Sequence, residues 1–261
     1  MNGGRAPVAR RVAPWMCLFL MGAGALLLGS CGGQRIGLPY PDEQAGMVFA
    51  DSVPPPRVFL GAIEDRRAPD QHEGRGGVFG RTYPDDDVWQ RPVDQLYRAA
   101  LAQDLTQTRI VELTPLPRQA AYTLSAELFS LACRMQRSPG AYLLPLGAGM
   151  VGGMVFGETP SDRIRTGVVA GLVLMIAAPM PTAHRAECEV RLTLRDGAGE
   201  VVWQQTCLGE VAGRIYVPAT SRDDKKQAEK TLPRAVKRCN ACLLGQLRQF
   251  LAGAEIAPAG G

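Results

Sequence analysis

The chain has two histidines in 261 residues, His72 and His184. Neither stands in a metal-ligand or catalytic-triad spacing. A Cys–His nucleophile needs a positioned imidazole, and both histidines are expected on loops. No G-x-G-x-x-G follows a strand and no Walker sequence is present; Gly74, Gly76 and Gly77 mark a loop. The single C-x-x-C, Cys239 and Cys242, offers two zinc ligands where a structural site needs four. It also falls well inside an expected helix, not at the helix N-terminus that would activate a thiolate. The acidic run Asp85-Asp86-Asp87 lacks the alternating oxygen ligands of a calcium loop. Charge of one sign is scarce too. There are 29 basic and 25 acidic residues, and three of the basic ones (Arg5, Arg10, Arg11) lie at the extreme N-terminus. The remainder is nearly balanced, which implies no broad basic face and gives nucleic-acid binding no support. The expectation is therefore no catalysis, no metal and no cofactor.

The N-terminus is informative. Arg5, Arg10 and Arg11 precede an almost uncharged apolar run, Val12 to Leu28, broken by Pro14 and several glycines. Small residues then lead to Cys31 in Leu28-Gly29-Ser30-Cys31. This is the order of a secretory signal, and it resembles bacterial lipoprotein precursors. The resemblance implies cleavage after residue 30 and diacylglycerol on the Cys31 thiol. Gly32 in place of Asp implies the outer membrane, with the domain facing the periplasm. The alternative is an N-terminal membrane helix, for which Val12–Leu28 is marginally long enough.

Residues 31–56, rich in Gly and Pro and ending in Pro54-Pro55-Pro56, read as a tether that packs no core. Arg57 to Ile63 reads as a first strand. A polar loop runs from Ala68 to about Gln90. Val93, Leu96, Tyr97, Ala100, Leu101 and Leu105 recur at helical spacing. A short strand from Arg109 to Thr114 follows, then a longer one from Ala121 to Met135. Its alternation slips by one residue at Phe129, which predicts a β-bulge. Cys188, Val190, Leu192 and Leu194 alternate with polar residues across a half-buried strand. Asp196-Gly197-Ala198-Gly199 turns the chain into a return strand. A helix of roughly 20 residues, capped by Thr231 with Pro233 in its first turn, closes residues 57–253; residues 254–261 are a tail.

The fold expected is α+β: an antiparallel sheet with two helices on one face, in the order β-α-β-β-insert-β-β-α. A strand closing in Glu64-Asp65-Arg66, a helix with Leu96, Ala100 and Leu101, and the strand Ala121-Tyr122-Thr123-Leu124-Ser125-Ala126-Glu127-Leu128 together resemble YajG-type lipoproteins and ABC-transport auxiliary lipoproteins. That resemblance implies an accessory or scaffold subunit of an envelope complex. The other functional reading is a lipoprotein that holds lipid or another amphiphile beside its sheet.

Two further features carry expectations. With a turn centred on Gly197-Ala198, Cys188 and Cys207 face each other on the core side, within reach of a disulfide; Cys133 is the competing partner. The insert, residues 140–182, is apolar and glycine-rich. Gly149, Gly153 and Gly157 recur every fourth residue, as do Gly167 and Gly171. This resembles a glycine-zipper hairpin, in which small residues let two helix backbones approach. The first run is too short to span a bilayer alone. The hairpin is expected to face a membrane surface, an envelope partner or a second copy; the competing reading folds it onto the protein's own core.

Overall fold

The computed structural model describes residues 35–41, 47, 54–74, 76, 79–218 and 221–256. The expected signal segment, Cys31 and the last residues of the expected tail lie outside them. Within these limits the fold is α+β. Its strands are β1 (Arg57–Asp65), β2 (Gly80–Tyr83), β3 (Glu112–Thr114), β4 (Tyr122–Arg137), β5 (Met180–Arg195) and β6 (Val201–Val217). Its helices are α1 (Pro69–Glu73), α2 (Val93–Thr108), α3 (Pro139–Met154), α4 (Pro160–Ala177) and α5 (Ser221–Ile256).

The sheet runs β3-β1-β4-β5-β6, with β2 also on β4. It is mixed, not wholly antiparallel: β1 pairs parallel with both β3 and β4. A parallel neighbour needs a crossover, and α2 supplies it between β1 and β3. Strands β1 and β2 share one edge of β4, β1 against Tyr122–Leu128 and β2 against Cys133–Gln136. The gap between them is closed by a side chain. Gln71 of α1 accepts from the Leu131 backbone N–H at 3.1 Å and donates to Ser130 Oγ at 3.2 Å. The register of β4 on β5 shifts between Leu128 and Ser130, where the alternation slips in the sequence.

One face of the sheet carries Leu124, Leu128, Leu131, Val190, Leu192 and Leu194, all fully buried. Helix α5 covers β4, β5 and β6 there, and α2 covers β1 and β3 beside it. The other face is polar. Glu127 meets Arg191 at 3.2 Å, and Glu187 meets Arg134 at 3.1 Å. Both pairs are partly buried, with the carboxylates more covered than the guanidinium groups.

Three expectations fail for physical reasons. Helix α5 begins at Ser221, ten residues before Thr231. The residues added, Asp223 and Asp224 in its first turn and the Lys- and Glu-rich stretch after them, suit a helix start and interior. Thr231 is internal, its hydroxyl donating to the Gln227 carbonyl at 2.8 Å. The tether does not extend to residue 56. Ile36 is fully buried, its backbone bonded to Val88 and Gln90, and the Tyr40 hydroxyl donates to Asp104. Finally, the polar loop from 68 to 90 holds α1 and β2, short elements whose side chains give no periodic signal.

Tyr40 belongs to a buried polar cluster. Asp104, on α2, also accepts from Lys237 Nζ at 2.6 Å and Asn240 Nδ2 at 2.7 Å, both on α5. Tyr97 donates to Asn240 Oδ1 at 2.8 Å. Asp104 and Asn240 are fully buried. An unpaired charge there would cost several kcal/mol, roughly 3–5, so the cluster fixes the register of α2 on α5. Burial first, then the Asp104 charge, holds the Tyr40 phenol far above its usual range.

Candidate functional site

The insert leaves the sheet where β4 ends and β5 begins, and that root is firmly held. Arg137, the last residue of β4, is buried and donates from Nη2 to Asp224 Oδ1 at 2.5 Å and from Nε to Thr182 Oγ1 at 3.2 Å. Phe79 meets Tyr142 edge to face, with ring centroids 5.6 Å apart. The two strands and the first turn of α5 are thus tied at one point.

Beyond the root, α3 and α4 form an antiparallel helical hairpin joined near Glu158. Its glycines sit where the helices touch. A Cβ on Gly149 would lie 2.6 Å from the Gly171 Cα, and one on Gly153 would lie 2.8 Å from the Gly167 Cα. From the other helix, a Cβ on Gly167 would meet the Met150 carbonyl at 2.7 Å, and one on Gly171 the Leu146 carbonyl at 2.8 Å. Gly157 abuts the Arg163 backbone at the tip. These contacts are backbone to backbone, so no larger residue fits without separating the helices. Thr159 caps α4 by accepting from the Asp162 N–H at 3.2 Å, and the tip carries Glu158, Asp162, Arg163 and Arg165.

With glycines between the helices, the large apolar side chains point outward. Leu144 is 78% exposed, Val155 76% and Phe156 81%, and Leu143, Val151, Ile164, Val173 and Ile176 are open as well. So many large apolar side chains open on one hairpin is the kind of surface that marks an interaction site. Among the described residues, no helix is long and apolar enough to cross a membrane.

Beside the root an open cavity of about 520 Å³ is lined by Arg134, Gln136, Ala183, His184, Arg185, Ala212, Gly213 and Arg214. His184 lies on β5, not on a loop, and its Nε2 accepts from Gln227 at 3.0 Å. Burial, then the Lys230 charge, lowers its pKa. His72 also lies in an element, α1. Its Nδ1 meets Asp86 at 2.7 Å and its Nε2 meets the Arg67 carbonyl at 3.2 Å, so both ring nitrogens are occupied. Asp86 joins Asp65 in binding Arg67, at 2.7 and 2.8 Å. Burial opposes ionisation of Asp65, but the Arg67 bonds outweigh it and lower its pKa.

The cysteine pairing differs from the expected Cys188–Cys207. Cys207 is bonded to Cys242 of α5, with a Cα separation of 6.2 Å, and Cys188 is free and buried. The reason is register. The turn spans Asp196 to Glu200, closed by the Asp196 N–H to the Glu200 carbonyl and eased by Gly199 at φ 87°. A further shift follows at Leu194, which pairs with Trp203. Cys188 therefore opposes Gly209, and Cys207 opposes Val190. A two-residue slip keeps every side chain on its face, so Cys207 stays on the core side and meets the helix above it.

The polar cluster of Asp104, Lys237 and Asn240 was not singled out in the sequence, although a signal exists. Asp104 interrupts the apolar stripe of α2, and Asn240 interrupts that of α5 between Val236 and Leu243. A polar residue on a stripe needs a buried partner.

No family model and no curated protein matches the sequence. The chain is similar to solved structures at low identity. One is a Xanthomonas campestris protein of family DUF330, 8% identical, with TM-score 0.45, covering 85% of this chain and 98% of that one. Another is a minor lipoprotein from Acinetobacter baumannii, 9% identical, with TM-score 0.34, covering 76% and 92%. A third is a lipoprotein from Neisseria meningitidis, 7% identical, with TM-score 0.30, covering 77% and 98%. At these values the likeness assigns neither a family nor a role to this chain.

Proposed function

We propose that this chain is a lipid-anchored, non-enzymatic lipoprotein of the outer membrane, facing the periplasm, and that it serves as an accessory or scaffold subunit by docking a protein partner through the α3–α4 hairpin. The observation that carries this reading is the exposed apolar flank of a hairpin whose root is tied to the domain core. Two facts favour protein over bilayer as the occupant. The tip bears Glu158, Asp162, Arg163 and Arg165, and each Asp or Arg carried to the bilayer centre costs roughly 2.5–3.5 kcal/mol. Neither helix is long and apolar enough to cross. The glycine contacts serve the same end, because they bring the two backbones together and leave most of the large apolar side chains on the outer surface. His72, bonded at both ring nitrogens, fits a non-catalytic role, and no cofactor is invoked. The anchor rests on the Leu28-Gly29-Ser30-Cys31 motif.

The test is mild detergent extraction of the full chain beside a form with residues 143–178 replaced by a short Gly-Ser link. Met180 is retained because it is buried in β5. The intact protein should come out with a protein bound in fixed stoichiometry, a second copy included. The shortened form should keep the same thermal transition and lose that partner. Retention of the partner by a folded shortened form defeats the proposal. An intact monomer that carries only lipid favours the amphiphile-binding alternative, and unfolding of the shortened form makes the hairpin part of the core.

A further inference from the structure

We propose that Cys188 and Cys239 form a second disulfide, parallel to Cys207–Cys242, so that α5 is stapled separately to β5 and to β6. Three observations place the two sulfurs together. Cys188 opposes Gly209 in the β5–β6 register, and both side-chain positions lie on the face that α5 covers. Helix α5 rests directly on Gly209: a Cβ built there would collide with the Ala235 carbonyl and the Cys239 backbone nitrogen, and would lie 2.9 Å from the Cys239 Cβ. The side chain of Cys188 thus emerges beside Cys239 with no residue between them, and the two thiols are within hydrogen-bonding reach. The existing bond supplies the geometric precedent. Cys242, one turn further along the helix, reaches Cys207, two residues back along β6 from Gly209. Cys239 Sγ already lies 3.3 Å from the Cys207 carbonyl oxygen.

The chemistry is thiol–disulfide exchange during folding, before α5 closes on the sheet, with a small-molecule or protein disulfide as oxidant. The Cys239 thiolate attacks one sulfur of the oxidant; the oxidant's S–S bond breaks and one thiol leaves. The Cys188 thiolate then attacks Cys239 Sγ in the mixed disulfide, which forms the Cys188–Cys239 bond and releases the second thiol. Two protein thiols are oxidised, the oxidant disulfide takes two electrons, and the two protons end on the released thiols. Cys133 is left over. It lies under α5, with its sulfur 3.7 Å from Thr231 Oγ1.

The full chain, secreted into an oxidising envelope, is denatured without reductant, alkylated, digested with trypsin and mapped by mass spectrometry. Cys239 and Cys242 share one tryptic peptide, bounded by Arg238 and Arg248. The expected product joins three peptides, those carrying Cys188, Cys207 and the Cys239/Cys242 pair. Fragmentation between Asn240 and Ala241 should assign Cys188 to Cys239, and Cys133 should be alkylated. A product of only two peptides with alkylated Cys188 overturns the proposal, and so does Cys188 joined to Cys133 or Cys242. In a Cys188→Ala variant, Cys239 should become alkylatable while Cys207 and Cys242 stay linked. The wild-type map decides the matter even if that variant fails to fold.

Discussion

Individual residues show how little room the interface of α5 with the sheet leaves. Gly209 is the contact point, where a methyl group would meet helix backbone on two sides. Backbone cannot move aside as a side-chain end can, so overpacking here falls at the upper end of its usual range. Gly209→Ala should lower the unfolding free energy by about 3 kcal/mol, read as a lower urea midpoint with unchanged slope. His184 gives a different signature. Its imidazole is held neutral below the ordinary 6.5 by burial and by Lys230. The unfolded chain therefore binds a proton, as pH falls through 6.5, before the folded chain does. The stability tied to His184 is fully present above 6.5 and is lost as pH drops through the lowered folded value. Urea midpoints at about pH 7.5 and about pH 5 should differ less in His184→Gln than in wild type. An equal difference in the two proteins would show that other groups carry the acid sensitivity.

At the level of elements, legibility followed periodicity. Strands β4 and β5 and helix α2 were readable because their apolar residues repeat every second residue or at helical spacing over many positions. The slip at Phe129 was readable for the same reason. What periodicity does not encode was missed or misplaced. Strand β2 has four residues, too few to alternate visibly, and α1 has five, with Gln71 serving the sheet edge through its side-chain amide. Pro233 and Thr231 pointed to a helix start because both suit first turns. In α5, which begins at Ser221, they are internal, and the Thr231 hydroxyl bonds back to the Gln227 carbonyl. The Cys207 partner was missed because a hairpin register counts strand neighbours, whereas the neighbour that matters lies in the layer above. In the hairpin, Gly153 faces the Thr166 carbonyl and the Gly167 Cα. Gly153→Leu should force α3 from α4. Amide exchange should speed up along residues 141–175, while β4 and β5, anchored through Arg137 and Asp224, keep wild-type protection. Loss of protection in the sheet as well would mean that the hairpin and the domain open as one unit.

For the whole molecule, the proposed attachments to the envelope are chemically independent. The first is acyl chain at Cys31, the second is protein contact at α3–α4. Each buried methylene adds about 0.8 kcal/mol, so a diacylated cysteine holds firmly with no help from the domain. Ile36 and Tyr40 belong to the packed domain, so a spacer after Cys31 cannot run to residue 56. Cys31→Ser removes the thiol that would take diacylglycerol and leaves the domain sequence untouched. Metabolic labelling with a radioactive fatty acid should mark wild type and not the variant, which should accumulate as the longer, uncleaved precursor. Because the folded domain does not need the acyl group, the Cys31→Ser domain should still bind its partner through the hairpin after detergent extraction. Equal labelling of the two proteins would remove the anchor from the proposal and leave the hairpin argument standing. Loss of partner binding by the unacylated yet folded variant would show that the lipid, not the hairpin, makes the contact.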